Sequence, residues 1–202
     1  MDLESRESQK VRAAIESNTI AEYLNVDYGY PGWSAEPWAV GVEARLAHPE
    51  VAGIGTAYLH IVPVETPSGV VTVVCKDMTG TAKKSGESYP YPDASDPRQA
   101  LEVIAVSTRT GSPRPTMEGT HPSKVPPGPA IPGPANRSAR PAGNVFSGYL
   151  QVNYPGTLNP PPYADACTAW TESRWGGTRP PTPTRSVAEP PKIEPFSPGW
   201  PG

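Results

Sequence analysis

Two runs of apolar, β-branched residues lie close together within residues 56–77. Residues 65–69 separate them and include Pro67 and Gly69, and a short turn of this kind between such runs predicts a β-hairpin. Alternation places one apolar set on a single face of each strand, namely Ala57, Leu59 and Ile61 in the first and Val71, Val73 and Cys75 in the second. We expect these two faces to be buried together against a layer of helices. Pro63 predicts that the first strand ends near Val62 or lies at a sheet edge.

Helical patterns precede the hairpin. Residues 4–17 contain good helix formers with a narrow apolar stripe of Val11, Ala14 and Ile15, so we expect a peripheral helix or one that meets a partner. A break near Asn18 is expected before any extension of this helix to residue 24. Residues 34–48 predict a second helix with Trp38, Val42 and Leu46 on one face.

Three further elements follow the hairpin. Residues 99–109 are rich in β-branched side chains and predict a third strand, with a short helix as the alternative. Residues 144–154 alternate apolar and polar positions and predict a fourth strand. Residues 164–175 predict a short helix that carries Ala166, Trp170 and Arg174. The expected fold class is α+β, with N-terminal helices packed on a four-stranded, mostly antiparallel sheet and with long proline-rich extended segments.

This order of helices followed by a four-strand meander resembles the NTF2-like α+β cone, in which a curved sheet wraps helices around a pocket. The resemblance covers residues 4–154 and rests on the order of elements, with no residue motif. It implies a pocket between helices and sheet, and either ligand binding or scaffolding as the function. The residues implied to line that pocket are Trp38, Val42, Leu59, Val73 and Leu150.

Proline is concentrated in the second half of the chain, where 21 of the 29 prolines lie between Pro113 and Pro201. Each proline fixes φ and removes a backbone donor, so these stretches are predicted to be extended or irregular. We expect a small domain made of residues 1–111 and the strand at 144–154. A proline-rich loop at 112–143 and a proline-rich C-terminal arm at 155–202 complete the chain.

Charge and cysteine content exclude several classes of protein. A net charge of -3 leaves no excess of Lys and Arg with which to hold nucleic acid. No apolar run is long enough to span a membrane, and the polar N-terminus lacks the core of a secretory signal, so we expect synthesis in the cytoplasm. Cys75 and Cys167 permit one disulfide, but we interpret them as free thiols.

The sequence contains no residue set with the spacing of a known catalytic or metal-binding motif. His48, His60 and His121 have no partner at metal-ligand spacing, and the nucleophile elbow Gly-x-Ser-x-Gly does not occur. His60 alternates with Tyr58 and Val62, and we interpret it as a half-exposed structural residue. We therefore expect a protein that is not an enzyme and that uses no cofactor and no metal.

Several large aromatic residues lie among turn residues or on the proline-rich arm. Tyr and Trp are enriched at interface hot spots, and the aromatic residues of the arm have no core of their own to enter, so we predict contacts with partner proteins. For the aromatic residues before position 34, the alternative is that they cover one end of the domain core. The predicted partner-binding residues are Tyr28, Tyr30, Trp33, Trp170, Trp175, Phe196 and Trp200.

An extended arm buries too little apolar surface to offset the entropy of ordering it. We expect neighbouring subunits to order the arm. This predicts a non-enzymatic structural or assembly subunit of a larger protein particle, such as a bacteriophage head or tail, with a homo-oligomer as one form of it. Such a protein would be made in the cytoplasm and incorporated into a virion or another large assembly. The alternative function is an NTF2-like ligand-binding or cell-envelope-associated domain.

Overall fold

The computed structural model describes residues 2–33, 53–66, 69–91, 101–107, 123–146, 151–153, 161–174 and 185–202. The chain divides by its contacts into two compact units, which we describe separately. The first unit comprises Gly53–Thr108 and Gln151–Lys192, and the second comprises Asp2–Ala52, Arg109–Leu150 and Ile193–Gly202. Both units therefore contain residues from three of the four predicted segments, namely 1–111, 144–154 and 155–202.

The described elements give a mixed α+β chain, as predicted. In chain order they are α1 (Arg6–Tyr23), a 3-10 turn (Val26–Tyr28), β1 (Gly53–Gly55), β2 (Tyr58–Thr66), β3 (Gly69–Asp77), β4 (Thr81–Lys83), β5 (Tyr89–Tyr91), β6 (Leu101–Ser107), β7 (Arg137–Ser138), β8 (Gln151–Asn153), α2 (Pro161–Arg174), β9 (Arg185–Val187) and β10 (Trp200–Pro201).

An antiparallel sheet with the strand order β2-β3-β6-β8 forms the centre of the first unit. The predicted hairpin is confirmed as β2 and β3, and the third predicted element is a strand, not the alternative helix. Pro63 lies inside β2 opposite Thr72, on the edge strand of the sheet, where a missing donor is tolerated. The strand therefore does not end near Val62. Of the predicted fourth strand, the described part that is a strand is Gln151–Asn153.

The register of the hairpin differs by one residue from the predicted one. Two residues, 67–68, join the strands, and Val62 lies opposite Val73. Because strand side chains alternate between faces, Leu59 and Ile61 lie on the opposite side of the sheet from Val73 and Cys75. The prediction that these two faces are buried together is wrong. The β2 residues on the same face as Cys75 are Tyr58, His60, Val62 and Val64.

Helix α2 packs on this face and is held there by a disulfide. Its first turn begins with two prolines, which are tolerated where helical N–H groups have no partner. Cys75 of β3 and Cys167 of α2 are both fully buried and bonded, with Cα atoms 5.3 Å apart. The interpretation of the cysteines as free thiols is wrong. Val73 and the two cysteines form the core, against which Val62, Val64 and Trp170 pack.

The N-terminal helix belongs to the second unit. The Ser5 side chain caps α1 by accepting a hydrogen bond from the Ser8 N–H, and the helix continues without the expected break at Asn18. The predicted stripe of Val11, Ala14 and Ile15 is buried, and so are residues on the other faces, including Arg12 and Glu22. The expectation of a peripheral helix is therefore wrong.

A tight turn follows the 3-10 turn. Trp33 N–H donates to the Tyr30 carbonyl at 3.0 Å, with Pro31 and Gly32 between them. Gly32 has a φ of 81°, which a type II turn requires at its third position and which glycine adopts without strain. This turn directs both aromatic side chains into the core of the second unit. The predicted second helix at 34–48 lies outside the described residues, as do Trp38, Val42 and Leu150 of the expected pocket.

Candidate functional site

The last ten residues, Ile193–Gly202, pack into the second unit through one large side chain. Trp200 is only 1% exposed and forms a buried cluster with Ala13 of α1 and with Tyr30. Ile20, Val145 and Phe146 pack around this cluster. We call the residues that receive Trp200 the Trp200 cleft, which consists of Arg12, Ala13, Glu16, Tyr30 and Phe146. The expectation that Trp200 has no core of its own to enter is wrong.

The carboxylate of Glu16 is the shared hydrogen-bond acceptor of this cleft. Glu16 accepts hydrogen bonds from Arg12 Nε at 2.5 Å, Tyr30 Oη at 2.7 Å and Trp200 Nε1 at 2.9 Å. Hydrogen bonds to an ionised acceptor are stronger than neutral ones, and burial strengthens them further. The cleft therefore recognises the indole N–H as well as the apolar ring.

Arg12 holds the same segment in two ways. Its Nη1 donates to the Gly199 carbonyl at 2.7 Å, and its guanidinium lies 4.2 Å from the centre of the Trp200 ring. A cation over an indole face is attracted by the ring quadrupole. Tyr30 contacts the same ring edge to face, with centroids 5.8 Å apart. Trp200 is thus enclosed by a cation, a carboxylate and an aromatic edge.

The phenol of Tyr30 stays protonated in this setting. Burial raises the pKa of Tyr30 well above its ordinary value, and the Glu16 carboxylate raises it further. Tyr30 consequently remains a neutral donor to Glu16 over the whole physiological pH range.

Backbone contacts fix the rest of the C-terminal segment. β10 pairs antiparallel with β7, so Trp200 lies opposite Ser138. Arg137 donates to the carbonyls of Pro198 and Gly199, and Phe196 N–H donates to the Pro132 carbonyl at 3.0 Å. The Phe196 ring lies so close to Gly133 that a Cβ there would be 2.1 Å from it. Residues 123–146, which include the described part of the predicted proline-rich loop at 112–143, therefore form one wall of the site.

A second cluster of aromatic and charged residues joins α2 to the sheet in the first unit. Arg174 donates to the fully buried Asp77 at 2.9 Å and lies 3.6 Å from the centre of the Tyr58 ring. His60 and Trp170 stack almost parallel, with centroids 5.3 Å apart. His60 is exposed to solvent, but partial desolvation lowers its pKa, which favours its neutral form. These groups contact one another, so we interpret the cluster as part of the packing of α2 on the sheet.

The predicted partner-binding residues are distributed over both units. Tyr30, Trp33 and Trp200 are buried in the second unit, where Tyr28 and Phe196 are half-buried. Trp170 is half-buried in the first unit, and Trp175 lies outside the described residues. The structure brings Tyr30 and Trp200 into contact with each other. Binding of a partner by any of the seven stays a prediction.

Sequence reasoning missed Arg12 and Glu16, the two residues that make the cleft polar. Their spacing of four places them on one helix face, and Arg–Glu pairs at this spacing are a known helix-stabilising pattern. That pattern, however, is typical of an exposed surface. The structure shows instead that the pair is largely buried and that it binds Gly199 and Trp200 of the C-terminal segment.

Comparison with family models, curated proteins and solved structures finds no match for this chain. In the part of the chain that the structure describes, no helix is long and apolar enough to cross a membrane. Within those same residues, no group of three or more His, Cys, Asp or Glu side chains is placed to hold a metal ion. The geometry of the Trp200 cleft makes it the candidate functional site.

Proposed function

We propose that the protein is a non-enzymatic structural or assembly subunit of a larger protein particle, such as a bacteriophage head or tail, and that its C-terminal segment is the tether. One observation carries this proposal. A proline-rich segment carries a tryptophan, Trp200, for which the fold supplies a matching cleft. Insertion of an aromatic anchor into a pocket is how extended peptides gain affinity and specificity.

The polar chemistry of the described residues supports a binding role over catalysis. Arg12 and Glu16 bind the C-terminal segment, while Asp77 and Arg174 bind each other between helix and sheet. A catalytic group must reach a substrate and exchange a proton or an electron pair with it. These charged groups instead have fixed partners inside the protein, which suits recognition of a segment.

Native isolation followed by one matched pair of variants tests the proposal. We expect the wild-type protein to sediment with other subunits and Trp200→Ala to lose that association, because its anchor is gone. Ile193→Ala is the control, since Ile193 lies in the same segment but is 43% exposed. Circular dichroism should show that both variants retain their secondary structure. Incorporation of Trp200→Ala at the wild-type level would contradict the tether.

The disulfide supports a second proposal, about where the protein works. Disulfides persist in oxidising environments and are rare in the reducing cytosol. We propose that the chain, wherever it is synthesised, works outside that compartment, at a particle surface or in the cell envelope. This favours the envelope-associated alternative as the second candidate function. Alkylation of thiols in freshly lysed cells tests it: unmodified cysteines are expected, and quantitative labelling of Cys75 and Cys167 would contradict it.

A further inference from the structure

The C-terminal segment Ile193–Gly202 belongs to the second unit, whereas the residues just before it belong to the first. The strand that precedes it in the chain, β9, pairs with β5 in the first unit. Residues 188–192 connect β9 to Ile193. The hydrogen bonds that hold the segment run to Arg12, Glu16, Pro132 and Arg137, all in the second unit. None of these bonds depends on which copy of the first unit the segment comes from.

The connection between β9 and the segment is short and stiff. Residues 188–192 span at most about 17 Å when extended. Pro190 and Pro191 fix φ at two successive positions, which keeps the chain from folding back on itself. Pro191 is buried, whereas the other four residues of the connection, Ala188, Glu189, Pro190 and Lys192, are exposed. Short hinge loops invite exchange of the element that follows them between copies.

We propose that the Trp200 cleft of one molecule binds the Ile193–Gly202 segment of a second copy of this chain. This inference rests on the proposed function and names the partner of the tether. Exchange of an identical element retains every contact, namely the Nε1 bond to Glu16, the Gly199 carbonyl bond to Arg12 and the strand pairing with β7. If one copy gives its segment to the next without reciprocity, the same contact links many copies into a ring or filament.

Two full-length variants, each with one added cysteine, distinguish exchange from binding within one molecule. A Cβ at Gly202 would lie 3.5 Å from the Asn136 carbonyl, and both residues are exposed. Asn136→Cys and Gly202→Cys, on differently tagged chains, are co-expressed and oxidised. The native cysteines are already bonded to each other and do not compete. A double variant with both cysteines on one chain is the control for the contact itself.

Exchange predicts a disulfide-linked heterodimer from the co-expressed chains, amounting to about half of all dimers when pairing is random. It is absent when either variant is expressed alone. A double variant that crosslinks while the co-expressed chains do not would overturn exchange and leave the assembly function standing. A wild-type protein that sediments as a single chain at every concentration would overturn both proposals. Heterodimer formation that Trp200→Ala abolishes and Ile193→Ala does not would support the cleft as the exchange site.

Discussion

Loss of the Cys75–Cys167 disulfide is expected to destabilise the first unit. The bond joins β3 to α2 across a sequence separation of 92, so breaking it releases a long loop in the unfolded chain. The chain-entropy relation gives about 4.6 kcal/mol for a crosslink of this span, close to the upper end of the range for native disulfides, about 2–5 kcal/mol. We therefore expect the free energy of unfolding to fall by about 2–5 kcal/mol on reduction.

The assay is urea unfolding of the oxidised protein, the reduced protein and the Cys75→Ala/Cys167→Ala variant, with hydrogen exchange to locate the change. The reduced protein and the variant should unfold at lower urea than the oxidised protein. Peptides covering Gly69–Asp77 and Pro161–Arg174 should exchange faster, because the bond fixes these two elements to each other. Reductant should leave the variant unaffected. Coincident unfolding curves for the oxidised and reduced wild type would refute the reasoning.

Two further predictions concern charged groups. Glu16→Gln removes the charge that balances the buried Arg12, so the free energy of unfolding should fall by about 1–3 kcal/mol, whereas the exposed Glu7→Gln should change it little. A loss of equal size in both variants would contradict the central role of Glu16. Because the folded protein holds the pKa of His60 below its ordinary value of 6.5, stability should fall as the pH drops from about 7 through the folded pKa. His60→Gln should remove that component of the pH dependence in urea unfolding, and an unchanged profile would contradict it.

The hairpin shows which part of the fold the sequence could predict. Alternation of β-branched residues is enough to predict both strands, because it reports the strand period directly. It could not choose the register, because both strands carry apolar residues on both faces. A five-residue turn at 65–69 would place Ile61 opposite Val73, whereas the observed two-residue turn places Val62 there. Turn length therefore decided which residues of β2 lie on the face that receives α2.

The Trp200 cleft could not be predicted, for a different reason. Its central contacts join residues 187 and 184 positions apart, Arg12 to Gly199 and Glu16 to Trp200. Periodicity describes a face of one element and carries no information on what that face meets. The same holds for the disulfide, since its two cysteines are brought together only when α2 packs on β3.

The prolines beside Trp200 change how easily the C-terminal segment can be bound. Pro195, Pro198 and Pro201 each restrict φ before docking as well as after it. The free segment therefore samples fewer conformations than an ordinary peptide of ten residues, and less entropy is lost when it enters the cleft. The prolines that prevent regular structure in this stretch thus also lower the entropy cost of binding it in the cleft.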